Sequence, residues 1–340
     1  MTPDLIIHGA GIFGLSIAWE AARRGARVAV VDPHGVGAGS SGGVVGALAP
    51  HVPENWNPKK AFQLDSLLMA DTFWRGVEEA SGLPSGHART GRLQPLADAA
   101  AVAMAEARGL EAATLWQGRA QWRVRPAQGG WEPPSPTGLL IVDTLSGRIH
   151  PRMALAALAE AVRVKGGTIG PEAQGAPVVW ATGAAGLADL SRALGRNIGT
   201  GVKGQALVLR HDARDMPQLF VDGLHIIPHA DGTVAIGSTT ERDTQDLSTD
   251  AQLDALHAKA VAAVPVLAAA PVVERWAGLR PRPKSRAPML GPWPDRPGHF
   301  IANGGFKIGF GMAPKVAQVM VDLVLDGRDA IPGGFRVSDN

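Results

Sequence analysis

The chain has 340 residues, of which 45% are hydrophobic and 19% charged, with 43 glycines and a formal net charge of +2. This composition suits one large or two intimate folded domains and excludes a disordered or fibrous chain, and the absence of any basic run leaves nothing that favours nucleic-acid or membrane binding. Cysteine is absent, which excludes disulfides, thiolate metal sites and a cysteine nucleophile, and tyrosine is absent beside nine tryptophans, so no mechanism can use a phenol.

Leu5-Ile6-Ile7-His8 is a short apolar run that reads as a buried strand. From a strand starting this early, the expectation is that no leader peptide is present. No uncharged apolar run reaches the roughly 18 residues a membrane span needs. A cytoplasmic protein is the expectation. Gly9 to Gly14 follow, then a helical stretch from Leu15 to Ala22 that ends at Gly25, then a second buried strand, Val28 to Val31, closing at Asp32. Strand, turn, helix and strand in this order form one parallel βαβ unit. Residues 35–43 are too rich in glycine for helix or strand. Residues 61–80 predict a long amphipathic helix, stopped by Gly82 and Pro84. The stretch 84–142 is mixed, with a helix over 97–112.

Pro151 opens another helix that runs to about Lys165 and stops at Gly166-Gly167. Val178-Val179-Trp180 is a strand ending in Ala181-Thr182-Gly183. Residues 202–240 alternate with period two and predict antiparallel strands with a hairpin turn at Asp231-Gly232. Residues 251–264 are helical. Phe300-Ile301-Ala302 is a last apolar strand, followed by Gly304-Gly305 and a closing helix from about Pro314 to Leu325. There are no internal repeats.

Gly9-x-Gly11-x-x-Gly14 stands where a dinucleotide needs it, after a strand and at the start of a helix. Gly9 permits the tight turn, Gly11 lets a pyrophosphate approach the backbone, and Gly14 lets helix and strand pack closely. The unsatisfied amides and partial positive charge of the helix N-terminus favour phosphates. Asp32 ends the second strand 18 residues beyond Gly14, where a carboxylate can take a ribose hydroxyl.

Five separated pieces choose the dinucleotide. They are the βαβ unit; Gly39-Ser40-Ser41 leading to Gly46-Ala47-Leu48-Ala49-Pro50-His51; Val178 to Gly183; Trp276-Ala277-Gly278-Leu279-Arg280-Pro281; and Gly304-Gly305-Phe306-Lys307. In order and spacing the chain resembles the D-amino-acid oxidase family of flavoproteins, within its glycine oxidase and sarcosine oxidase branch. The resemblance implies an α/β fold of the glutathione-reductase-like type. A Rossmann-type FAD-binding domain (1–83, 143–200 and 276–340) would carry a substrate domain with a discontinuous antiparallel sheet (84–142 and 201–275). It implies non-covalent FAD held by Gly9, Gly11, Ile12, Phe13, Gly14, Asp32, Pro33, Ser40, Ser41, Val45, Gly46, Ala47, Gly183, Gly305, Phe306, Lys307, Ile308 and Gly309. No metal is expected.

The resemblance also implies that Arg280 pairs with the carboxylate of an amino-acid substrate. A planar guanidinium fork suits that role because it grips both oxygens and keeps its charge. Lys307 has the matching position in the last motif. His225 stands in Leu224-His225-Ile226-Ile227-Pro228 where glycine oxidases carry a tyrosine, and His51 ends the segment beneath the flavin; both are catalytic candidates. His229 is expected to face solvent in the hairpin. The implied reaction is hydride transfer from the substrate α C–H to flavin N5, hydrolysis of the imine, and passage of electrons to oxygen or another acceptor. The family's β-meander before the A-T-G strand is reduced here to residues 168–177, so the adenine end should be held differently. Two other readings share the flavin: oxidation of a carboxymethylaminomethyl group on tRNA, and a flavin subunit of a multi-subunit dehydrogenase. Either a homo-oligomer or a partner subunit is compatible with the sequence.

Overall fold

The apolar run Leu5–His8 is strand β1 in the computed structural model, which describes residues 2–340. Through Gly9 it enters helix α1 (Ile12–Arg23), which returns to the parallel strand β2 (Val28–Val31). Every residue from Ile12 to Ala22 is buried. A helix this uniformly apolar must be covered on all sides. β3 (Ala47–Leu48) leads to the long helix α2 (Pro58–Ser81), capped by the Asn57 side chain accepting from Lys60 N and ended by Gly82 at φ +70°. There follow β4 (Arg92–Pro95), α3 (Ala99–Leu115), β5 (Trp122–Pro126), β6 (Leu139–Asp143), β7 (Gly147–Arg148) and α4 (Pro151–Val164).

After α4 come β8 (Thr168–Gly170), β9 (Val178–Trp180) and α5 (Gly183–Ala193). The antiparallel region holds β10 (Gly199–Arg210), β11 (Gln218–Val221), β12 (Leu224–Pro228) and β13 (Thr233–Gly237). Helix α6 (Ala251–Ala263), β14 (Val272–Pro283), β15 (Met289–Pro292), β16 (His299–Asn303) and α7 (Gly309–Asp326) complete the chain.

Two large sheets result. Six strands in the order β15-β16-β9-β1-β2-β8 run parallel except for β15. Eight strands in the order β14-β10-β13-β12-β11-β4-β6-β5 are antiparallel except where β11 meets β4. Alternation along β1 sends Leu5 and Ile7 into the main core with α1, α4 and α7, and Ile6 to the opposite face. Among the described residues no helix is long and apolar enough to cross a membrane.

Three features differ from, or sharpen, what the sequence suggests. Helix α7 begins at Gly309, five residues before Pro314, which lies inside it. Gly309 and Gly311 are poor helix formers, yet they lie close to Ile12 and Leu67, and tertiary packing overrides their low propensity. Strand β14 runs unbroken across position 276, where a domain boundary was expected, and belongs to the eight-stranded sheet. Residues 171–177 cross from β8 to β9 without regular structure, and Ala173 and Ala176 pack on Ile6, Ala29 and Val31.

Candidate active site

The glycine turn after β1 is sterically determined. Gly9 has φ +107°, and a Cβ there would lie 2.4 Å from the Ala181 carbonyl oxygen, so the A-T-G segment closes directly onto it. A Cβ on Gly14 would lie 1.9 Å from the Gly9 oxygen, which keeps α1 tight against the strand. Ser41 Oγ accepts from Ile12 N at 3.0 Å, while the Phe13 and Gly14 amides find no acceptor in the chain. These free amides and the helix dipole make a cradle for an anion. Asp32 pins the turn, accepting from Ala10 N and from His34 N, each at 2.9 Å. Its oxygens retain lone pairs for a further donor.

A cavity of about 1070 Å³ is lined both by this turn and by the wall of the eight-stranded sheet. Of the residues expected at a site, Gly9, Gly11, Ile12, Phe13, Asp32 and Pro33 line it from the βαβ unit. Ser40, Ser41, Val45 and Ala47 line it from the next loop, and Gly183, Gly305, Phe306, Lys307 and Gly309 from the later motifs. Arg280 and His225 complete the set. Gly14 sits behind the turn. Gly46 faces away, its absent Cβ falling 1.6 Å from the Ile149 oxygen. His51 and Ile308 line a smaller neighbouring pocket.

Arg280 lies on β14, paired through Val202 with β10. Its Nη1 donates to Ser238 Oγ at 2.7 Å, and its Nη2 to the carbonyls of Lys203 at 3.0 Å and Thr239 at 2.7 Å. Gly204 makes room for the fork: a Cβ there would stand 2.5 Å from Arg280 Cζ. The side chain is 9% exposed, its Nε has no partner, and no carboxylate pairs with it among the described residues. Burial pushes its pKa down to about 10, so it remains charged at neutral pH. The nearest acid, Glu241, is committed to Lys203 Nζ at 3.4 Å, Thr239 Oγ1 at 2.6 Å and Gln205 Nε2 at 3.0 Å. A buried cation without a carboxylate is costly in isolation, and an anionic ligand offsets that cost.

Phe306, at φ +45°, puts its ring among three cations. Arg280 Cζ is 5.8 Å, Arg282 Cζ 6.0 Å and Lys307 Nζ 5.8 Å from its centroid. Lys307 Nζ donates to Thr240 Oγ1 at 3.1 Å, and burial followed by the Arg280 charge lowers its pKa.

A family model described as FAD dependent oxidoreductase matches residues 4–323. The chain belongs to this family. The glycine oxidase of Pseudomonas putida is 28% identical over 358 residues, covering 97% of this chain and 96% of that protein. The crystal structure of glycine oxidase from Geobacillus kaustophilus has a TM-score of 0.86 at 23% identity, covering 100% of this chain and 99% of that one. Iminodiacetate oxidase from Chelativorans sp. BNC1 follows the same fold, with a TM-score of 0.82 at 20% identity over 98% of each chain. Shared fold here means a parallel cofactor sheet joined to a mostly antiparallel one.

The residues present fit the cofactor that FAD dependent oxidoreductases use. The cavity of about 1070 Å³ is at the large end of cofactor sites, the unpaired amides of α1 suit a pyrophosphate, and Asp32 stands at the end of β2. The histidines differ in their surroundings. His225, on β12, packs on Phe220 with centroids 4.7 Å apart, and its Nδ1 is buried without a partner. Burial, then Arg92 and Lys307, push its pKa down to about 3, so the imidazole is neutral at physiological pH. His51 Nδ1 lies 2.5 Å from Gln63 Oε1, which leaves Nε2 as an acceptor, and burial lowers its pKa. His229 does not face solvent. It is 1% exposed, packed 4.7 Å from the His150 ring, and burial takes its pKa down to about 3.

Several lining or supporting residues carry no signal in the motifs: Ser238, Phe220 and Gly204. Glycine in a strand interior signals close approach of another group, so Gly204 has a readable signature of its own. Ser238 has none, because Arg280 selects it from 42 positions away.

Proposed function

We propose that this protein oxidises the amine of a small carboxylate-bearing substrate, an amino acid or N-substituted glycine, using non-covalently bound FAD. The observation that carries this reading is Arg280, a nearly buried guanidinium that faces the cavity with no carboxylate partner of its own. Three of its N–H groups are fixed by Ser238 and two backbone carbonyls, so the fork is oriented before a ligand arrives. When bound, FAD supplies the two-electron acceptor for the substrate C–H. Arg280 holds the carboxylate, and this sets the distance of the α-carbon from the cofactor.

The cations Arg280 and Lys307 also act on the substrate nitrogen. Positive charge nearby disfavours an ammonium, so they promote loss of its proton and binding as the neutral amine. No carboxylate base is then required, which matches a wall without Asp or Glu beside Arg280 and Lys307. Trp276 lies across Gly278, where a Cβ would fall 2.4 Å from its ring, and lines the same cavity. The names of the relatives, glycine oxidase and iminodiacetate oxidase, agree with this class of substrate.

The purified protein should be yellow or become so on reconstitution, release its flavin on denaturation, and be reduced anaerobically by carboxylated amines. Arg280→Ala should keep the flavin and lose about 30-fold or more in kcat/KM, the scale of losing one partner of a buried charge pair. A colourless protein that FAD cannot reconstitute would sink the proposal, and full turnover by Arg280→Ala would remove the arginine from the site.

A further inference from the structure

We propose that the small pocket beside the main cavity is a second anion subsite, and that the substrate is an amine bearing two acidic groups. The first acid meets Arg280, and the second lies between Arg92 and Lys307. This inference rests on the amine-oxidation reading and deepens it. The pocket has a volume of about 180 Å³ and shares Ala47, Phe220, His225 and Lys307 with the main cavity, so one ligand can extend from one into the other. At about 30 Å³ per water, it has room for a carboxymethyl-sized group.

Arg92 is what makes this pocket a built site. It sits at the start of β4, 6% exposed, between β11 and β6, and it lines the pocket. Its Nε donates to Asp143 Oδ2 at 2.9 Å, while Nη1 and Nη2 find no acceptor in the chain. Asp143 is itself occupied by Ser146 N at 2.7 Å and Ser146 Oγ at 2.9 Å. It holds Arg92 in place and leaves the outer edge of the guanidinium free. The Phe220 ring lies 5.9 Å from Arg92 Cζ.

The other polar side chains of the pocket are His51, Gln63, His225 and Lys307, and none is acidic. Gln63 is spent, its oxygen on His51 and its nitrogen on the Ala49 carbonyl. Lys307 is bonded only to the Thr240 hydroxyl, and His225 Nδ1 has no partner. Asp143 balances the charge of Arg92, so an α-carboxylate on Arg280 leaves the Lys307 charge and the outer N–H groups of Arg92 without an anionic partner. A hydrogen or methyl at this position leaves those donors without an anionic partner, whereas a carboxylate satisfies them. Sites of this kind discriminate strongly against analogues that lack the expected polar group. An acidic side chain and an N-carboxyalkyl group present the same chemistry here.

The test is anaerobic reduction of the holoprotein's flavin. Both enantiomers of aspartate and glutamate form one arm, iminodiacetate a second, and glycine, sarcosine and alanine the monocarboxylate set. At least one dicarboxylic arm should exceed every monocarboxylic amine by about 100-fold or more in the ratio of reduction rate to Kd. The arm that does so identifies the source of the second acid. Equal ratios, within about threefold, overturn the subsite.

Lys307→Met, at an accessible position, and Arg92→Gln should each narrow the preference at least about tenfold. A preference unchanged in a folded Lys307→Met protein also overturns the assignment. A second readout needs no turnover: succinate should perturb the flavin spectrum at lower concentration than acetate. If no amine reduces the flavin, the oxidation reading fails, and the succinate titration alone decides the subsite.

Discussion

Gly204 shows how one missing methyl group can shape a binding site. In a strand interior glycine costs stability relative to other residues. In β10 its empty volume holds the Arg280 fork, with Nη2 and Cζ both 2.5 Å from where a Cβ would stand. Gly204→Ala must therefore displace the guanidinium and loosen its bonds to Lys203 O and Thr239 O. The expected outcome is a rise in KM for carboxylated amines on the order of tenfold or more, with flavin content unchanged, read from steady-state kinetics beside the flavin-to-protein ratio. An unchanged KM would mean that the fork does not need this gap. Arg280 itself is legible, since it stands in a recognisable W-A-G-L-R-P run. His229 is not, because period-two alternation says only which face a residue takes. Its burial depends on His150, the N-cap residue of α4, which covers it.

At the scale of elements, β1, α1 and β2 are readable almost to the residue, because a short buried strand, a glycine turn and an apolar helix leave few alternatives. The unit also makes a sharp prediction. Gly14→Ala would drive a methyl group into the Gly9 carbonyl, whose oxygen lies 1.9 Å from where the new Cβ would stand, and would tilt the helix amides away from the phosphate position. The variant should bind FAD at least about tenfold more weakly in equilibrium dialysis, with far-ultraviolet circular dichroism close to that of the parent. Native affinity would show that the cradle tolerates the shift. Helix α7 is less legible. Its first turn, Gly309 to Gly311, has poor intrinsic propensity, and the packing of Ile12 and Leu67 against it is invisible from local sequence. The reduced stretch before β9 is apparent as a length, but that residues 171–177 cover the outer face of β1 and β2 is not.

At the scale of the whole molecule, the cavity draws one wall from the parallel sheet and its loops and another from the eight-stranded sheet. A ligand that spans it ties the two together, so cofactor binding and folding are coupled. Occupancy by free ligand at a thousand times Kd contributes about 4 kcal/mol of stability. Stripping FAD should lower Tm by several degrees, and adding it back should restore the value, as followed by scanning calorimetry of apo and reconstituted protein. An apoprotein as stable as the holoprotein would argue that the cofactor does not bridge the walls.

The amino-acid sequence by itself determined the dinucleotide turn, the order of the elements and the family, because each of these depends on local spacing: glycines within one turn, apolar periodicity, and short motifs with their own residues. The tertiary structure alone decided that the turn and Arg280 share one cavity, that Ser238 and Gly204 orient the guanidinium, and that Arg92 faces a second pocket with its outer nitrogens free. Those relations join positions far apart in the chain. Which charge is compensated and which is left for a ligand depends on distance and burial, and both exist only after the sheets have packed.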